Sequence, residues 1–144
     1  MTGTTPAAAD YLAAHAHTFA DKTAVIDDRP GGGVVRWTFA ELNAQANRLA
    51  NALRALGVAR GERIAWCGPN SPGVVRAIHG ARKLGAVAVP VNYRLTADEA
   101  HYVLDDSDAT LALVDAELAP LFASIAPRLP GLRGVLVYGG APLA

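Results

Sequence analysis

Gly31-Gly32-Gly33 is the densest glycine run in the 144 residues, and consecutive glycine amides can cradle an oxyanion that bulkier residues would hold off. A phosphate loop also needs a strand before it and a Lys-Ser/Thr pair opening a helix after it. Here Val34-Val35 begins a strand instead, so the triplet is expected to be a hairpin turn. Gly68-Pro69-Asn70-Ser71 is better placed, where a predicted strand meets a helix N-terminus, the edge at which open α/β sheets bind ligands. It carries one glycine rather than a G-x-G-x-x-G set, and helix capping by Ser71 competes with phosphate contact as its role.

The remaining reactive side chains do not assemble at a useful spacing. His15 and His17 lie two apart on a predicted helix and point to different sides, while His79 and His101 stand on separate helices without an i+4 partner. No metal ligand set is therefore expected. Cys67, the sole cysteine, cannot form an intramolecular disulfide; on an apolar strand it reads as a small buried side chain, with a reactive thiol as the alternative. Lys22 and Lys83 sit at a strand entry and within a helix, with no glycine-rich loop beside either. No Ser, Cys or Lys has a triad or Schiff-base context, so no catalytic residue is assigned.

The elements that would position these groups alternate from residue 38 onward, the pattern of a parallel sheet covered by helices. Thr38 and Glu41 form a T-x-x-E capping box, and Leu42, Ala46, Leu49, Leu53 and Leu56 recur on one face until Gly57. Arg63 to Gly68 reads as a strand, and Asn70-Ser71-Pro72 opens a helix whose inner side is Val74, Val75, Ile78 and Leu84. Ala86 to Val91 reads as a strand apolar on both faces. A second capping box, Thr96 with Glu99, opens the helix of Tyr102, Val103 and Leu104. Thr110 to Val114, Ala116 to about Ala126 and Gly134 to Tyr138 read as strand, helix and strand. Before residue 38, a helix from about Ala8 to Phe19 precedes two strands, Thr23 to Ile26 and Val34 to Trp37, joined as a hairpin. The fold class expected is α/β: a partial doubly wound, mostly parallel sheet with flanking helices, plus an N-terminal helix and β-hairpin. No internal repeat or linker divides residues 1–144.

The formal charge is zero and the charges are interspersed, which argues against nucleic acid and anionic membranes as partners. No stretch approaches the 18 or so apolar residues of a transmembrane segment, and the N-terminus lacks the pattern of a secretory signal. A cytoplasmic location is expected.

Two blocks resemble the AMP-binding, adenylate-forming acyl-CoA synthetase family. Trp37-Thr38-Phe39-Ala40-Glu41-Leu42 with Asn47-Arg48-Leu49-Ala50 is similar to the family's early motif. Gly68-Pro69-Asn70-Ser71-Pro72 followed by Lys83-Leu84-Gly85-Ala86-Val87-Ala88-Val89-Pro90-Val91-Asn92-Tyr93-Arg94-Leu95 resembles its second block, and the likeness spans roughly residues 8 to 138. The resemblance implies a carboxylic acid, ATP and CoA as small-molecule partners, with Mg²⁺ shielding the phosphates. The reaction it implies is attack of the carboxylate on the α-phosphate, giving an acyl-adenylate and pyrophosphate, and then displacement of AMP by the CoA thiol.

It also implies that the family's phosphate loop, Mg²⁺ carboxylate, ribose-binding Asp, hinge and catalytic Lys belong to a remainder of the ligase beyond this chain. The 144 residues alone are accordingly expected to be inactive and to bind none of these cofactors tightly. The tail from Gly139 to Ala144 looks cut, and at least one apolar face of the sheet is expected to be uncovered. By the same resemblance Arg94 would meet the nucleotide phosphates of CoA, the alternative being an exposed arginine before the Thr96 cap. Two rival readings stay open: an adenylation domain loading a carrier protein, and a stand-alone α/β binding or interaction module.

Overall fold

Two T-x-x-E boxes and two glycine stops set most of the helix boundaries in the computed structural model, which describes residues 10–31 and 33–139. Helix α1 (Tyr11–Thr18) is capped by Asp10, which accepts from the Ala13 amide at 3.0 Å. The expected start near Ala8 lies outside the described residues. Strands β1 (Thr23–Asp28) and β2 (Val34–Thr38) pair antiparallel as the expected hairpin. Helix α2 (Phe39–Ala55) begins at a complete capping box: Glu41 N–H donates to Thr38 Oγ1 and Thr38 N–H to Glu41 Oε2.

At the other end of α2, Val58 N–H reaches Leu53 O and Gly57 N–H reaches Arg54 O, with Gly57 at φ +80°. This is a Schellman turn, and its usual apolar contact is present because Leu53 and Val58 lie in one buried cluster. Leu56, expected on the inner face, is instead 49% exposed. It occupies the cap where the chain turns away, and Val58 takes the buried place beyond the turn.

Strand β3 (Arg63–Cys67), helix α3 (Pro72–Lys83), strand β4 (Val87–Val91), helix α4 (Ala97–Asp106), strand β5 (Ala109–Asp115), helix α5 (Ala119–Ile125) and strand β6 (Gly134–Tyr138) follow in order. The four strands β3 to β6 are parallel, in the order β4-β3-β5-β6. Period-two alternation sorts their side chains between two layers. Ile64, Leu111 and Leu113 face α2 and α3. Ala65, Cys67, Ala112 and Val114 face α4 and α5, meeting Leu104, Phe122 and Ile125. A third cluster of Leu12, Leu42 and Ala46 ties the hairpin and α1 to α2.

Packing corrects two expectations, on α3 and on the helix after β5, and sets β4 at the sheet edge. On α3 the fully buried positions are Pro72, Val74, Ala77, Gly80 and Ala81, while Val75 and Ile78 are half-buried. Small residues line that face because α3 lies close against both α2 and the sheet. Strand β4, read as apolar on both faces, lies at one edge of the sheet, with Val87 50% exposed. Pro90, which has no N–H to give, is tolerated there. The helix expected from Ala116 to Ala126 is broken into a 3-10 turn (Ala116–Leu118), α5 and a second 3-10 turn (Ala126–Arg128), with Pro120 and Pro127 each in the first turn of the piece it opens.

Candidate functional site

Because β3 to β6 run parallel, their carboxyl ends gather at one edge, where the turn after β3, Asp115, Tyr138 and the loop after β4 meet solvent. Ser71 serves as the N-cap of α3, its Oγ accepting from the Val74 amide at 3.4 Å. Tyr138 lies over the turn and its Oη donates to Cys67 O at 3.4 Å. A Cβ added at Gly68 would collide with that hydroxyl, and one at Gly73 would stand 2.7 Å from two ring carbons. Glycine at 68 and 73 is therefore explained by the seat of an aromatic ring. The Gly68–Ser71 turn is a packed cap.

Among the described residues this edge holds no activated nucleophile. Burial, aided by the charge of Asp115, pushes the Cys67 thiol up to about 11. Burial also pushes the Tyr138 phenol up to about 12, with Asp115 and Cys67 adding to the rise and Arg76 opposing it. Both groups are protonated near neutrality. Asp115 accepts from the Glu117 amide at 3.1 Å, capping the following 3-10 turn.

Arg94 stands in the loop from β4 to α4. Asn92 Oδ1 accepts its backbone N–H at 3.0 Å, and Leu95 N–H donates to Asn92 O at 3.2 Å, closing a tight turn. The guanidinium is exposed and lies over the Tyr93 ring, 5.1 Å from its centroid. Arg29, Arg63, Arg128 and Arg133 each pair with a carboxylate, whereas Arg94 has no such ion pair among the described residues.

The other residues singled out by type are scattered. Gly31 and Gly33 adopt φ of +83° and +70° with open space where a Cβ would stand, so they serve the hairpin; Gly32 lies outside the described residues. His15 lies 2.6 Å through Nδ1 from Tyr11 O and stacks on Phe39, and His101 Nε2 lies 3.3 Å from Arg128 O. No group of three or more His, Cys, Asp or Glu placed to hold a metal occurs among the described residues. Lys22 lies over the Phe19 ring.

Lys83 is the residue whose place the sequence concealed. Its side chain is 9% exposed, and Nζ donates to Asp10 Oδ2 at 2.6 Å and to Asn43 Oδ1 at 2.7 Å, fastening α1, α2 and α3 together. Burial pushes Asp10 up, but the hydrogen bonds from Lys83 and the Ala13 amide and the charges of Lys83 and His79 outweigh it, so its carboxyl is held below the ordinary value. His79 is depressed by burial and by Arg82 and Lys83, against Asp10. The partners are 73 and 40 residues away, so no local motif announces them.

Among the described residues no helix is long and apolar enough to cross a membrane. A 3-hydroxybenzoate–CoA ligase of Aromatoleum sp. (strain CIB) is 41% identical over 86% of this chain and 23% of its own length. A long-chain-fatty-acid–CoA ligase of Mycobacterium tuberculosis is 47% identical over 63% of this chain and 18% of its own. A solved anthranilate CoA ligase in complex with anthranoyl-AMP superposes with a TM-score of 0.81 at 36% identity, covering 91% of this chain and 24% of that one. The chain thus spans about a quarter or less of the length of these three relatives. The model of the AMP-binding enzyme family matches residues 12–144, from α1 through the last strand, and to that family the chain belongs.

Proposed function

We propose that the chain is the N-terminal α/β portion of an ATP-dependent, AMP-forming acyl-CoA synthetase in the cytoplasm, acting on an apolar carboxylic acid. The carboxylate oxygen attacks the α-phosphorus of ATP and pyrophosphate leaves with the bonding pair. The CoA sulfur then attacks the acyl carbon and AMP departs. Adenylation replaces a poor leaving group with a good one, so positioning and phosphoryl charge stabilisation carry the rate. The observation that carries this reading is the family match over residues 12–144, supported by relatives named as ligases of hydroxybenzoate, long-chain fatty acid and anthranilate.

Within that reaction the residues described here form a scaffold that presents a cation at the carboxyl edge of the sheet. Arg94, exposed, without an ion pair and steadied by Tyr93 and Asn92 at the carboxyl edge of the sheet, has the guanidinium fork suited to the phosphates of CoA. Mg²⁺ in such a reaction shields phosphate charge. The described residues offer it no ligand cluster, so no step is assigned to it here.

The test is carboxylate-dependent exchange of labelled pyrophosphate into ATP. It is run on the 144-residue chain and on a chimera in which the chain replaces the matched quarter of the anthranilate CoA ligase. Exchange by the chimera and none by the chain alone is expected. Exchange by the chain alone, or none by a folded chimera, would overturn the reading.

A further inference from the structure

We propose that Tyr93 is a positioning residue for the CoA step: the face of its ring, and not its hydroxyl, holds the Arg94 guanidinium ready for a phosphate, and Tyr93 acts on CoA only through Arg94. The proposal rests on the ligase reading above and on the place given there to Arg94.

The loop that carries Arg94 is fixed along its backbone and free at its tip. Val91, the last residue of β4, is buried, and Leu95 packs against the cluster of Leu104 and Phe122. Between these two anchors Asn92 accepts twice, through Oδ1 from the Arg94 N–H at 3.0 Å and through its carbonyl from the Leu95 N–H at 3.2 Å. Thr96 N–H then donates to Glu99 Oε2 at 2.8 Å, closing the box that starts α4. Both flanks therefore set the Cα of Arg94. They do not set its guanidinium. Among the described residues that group makes no hydrogen bond and no ion pair, and the contact that orders it is the Tyr93 ring, with Cζ 5.1 Å from the centroid.

An arginine that samples many rotamers loses that freedom when it grips an anion, and the loss weakens binding. A carboxylate partner, such as those of Arg29, Arg63, Arg128 and Arg133, would order the side chain but also neutralise the charge and occupy the donors that a phosphate needs. An aromatic face orders it without doing either, because the attraction is between the charge and the ring quadrupole. Tyr93 is 39% exposed, so the ring is itself partly held by the protein. Its hydroxyl makes no hydrogen bond among the described residues, which is why the face alone is given the role.

The test measures KM for CoA and kcat in the chimera described above, for Tyr93→Phe, Tyr93→Trp, Tyr93→Leu, Arg94→Ala and the double variant Tyr93→Leu/Arg94→Ala. Tyr102→Ala, at an exposed tyrosine of α4, is the control. Arg94→Ala is expected to raise KM about 10- to 100-fold. Tyr93→Leu should raise KM about two- to fivefold with kcat held, whereas Phe keeps the parent value and Trp, the best cation–π face, matches or lowers it. In the Arg94→Ala background Tyr93→Leu should add nothing, the signature of one residue acting through another. A parent KM for Tyr93→Leu, a Phe variant as impaired as Leu, a Trp variant impaired beyond Leu, or a Leu effect that persists without Arg94 would overturn the positioning role. If Arg94→Ala still raises KM in those cases, the place of Arg94 at CoA stands. A parent KM for Arg94→Ala would overturn both, and a folded chimera without activity would overturn the ligase reading itself.

Discussion

Replacing Lys83 by Met keeps most of the aliphatic stem and removes the ammonium that holds Asp10 and Asn43. A charge-assisted hydrogen bond contributes about 1.5–3 kcal/mol, and the half-buried contact to Asn43 falls in that range. The Asp10 carboxylate is 43% exposed and therefore screened, which reduces the second contact to about 0.2–1 kcal/mol. The loss is about 2–4 kcal/mol. At eight residues α1 is too short to persist alone, so the loss should appear first as local opening of that helix. Amides of α1 should exchange about 30- to 700-fold faster, at 1.4 kcal/mol per decade, while those of β3 and β5 hold their relative protection. His79 provides a second readout by NMR: without the Lys83 charge, its depressed titration should move up toward the ordinary imidazole value. Unchanged exchange in α1, or a uniform loss across α1 and the sheet, would refute the idea that Lys83 pins the helix.

Asp10 contributes stability that is fully present above its unfolded value near 3.8 and is lost as pH falls through its lower folded value; Asp10→Asn should remove that acid limb from the pH dependence of Tm. Cys67, buried and titrating near 11, should resist a thiol reagent at pH 8 in the native chain and react stoichiometrically once denatured. Gly73→Ala should cost about 1–3 kcal/mol by urea denaturation because the added methyl meets the Tyr138 ring, yet stabilise by about 1 kcal/mol in a Tyr138→Ala background, where only helix propensity remains. In the active chimera, Arg94→Ala should raise KM for CoA by about 10- to 100-fold with adenylation nearly unchanged; equal KM values would return Arg94 to an ordinary surface role.

Local signals carried the helix starts and stops into the structure nearly unaltered. The Thr38/Glu41 and Thr96/Glu99 boxes, Ser71-Pro72 and Gly57 act within four residues of themselves, so tertiary context has little to change. What depends on neighbours far along the chain was less legible. Val87 and Ile64 have equal hydropathic claims to the interior, and only the strand order decides that one lies on an edge and the other under two helices. The same holds for Lys83: a lysine in a helix reads as solvated until an aspartate 73 residues earlier is folded onto it. Tyr138 likewise explains two glycines that precede it by 65 and 70 residues (138 − 73 and 138 − 68).

The division between scaffold and chemistry follows from the same geometry. Every strong local motif in the chain is used up by structure: both capping boxes are closed on their own backbones, Ser71 is committed to α3, and the glycines before and after it accommodate Tyr138. A group whose hydrogen bonds are already satisfied has little left to stabilise a transition state. Arg94 is one group left over at the carboxyl edge: its guanidinium is exposed over Tyr93 and makes no ion pair among the described residues, so its charge stays available to a soluble anion. Arg76 Nε is another kind of remainder, a buried donor with no acceptor among the described residues, where water cannot take the place of a missing oxygen.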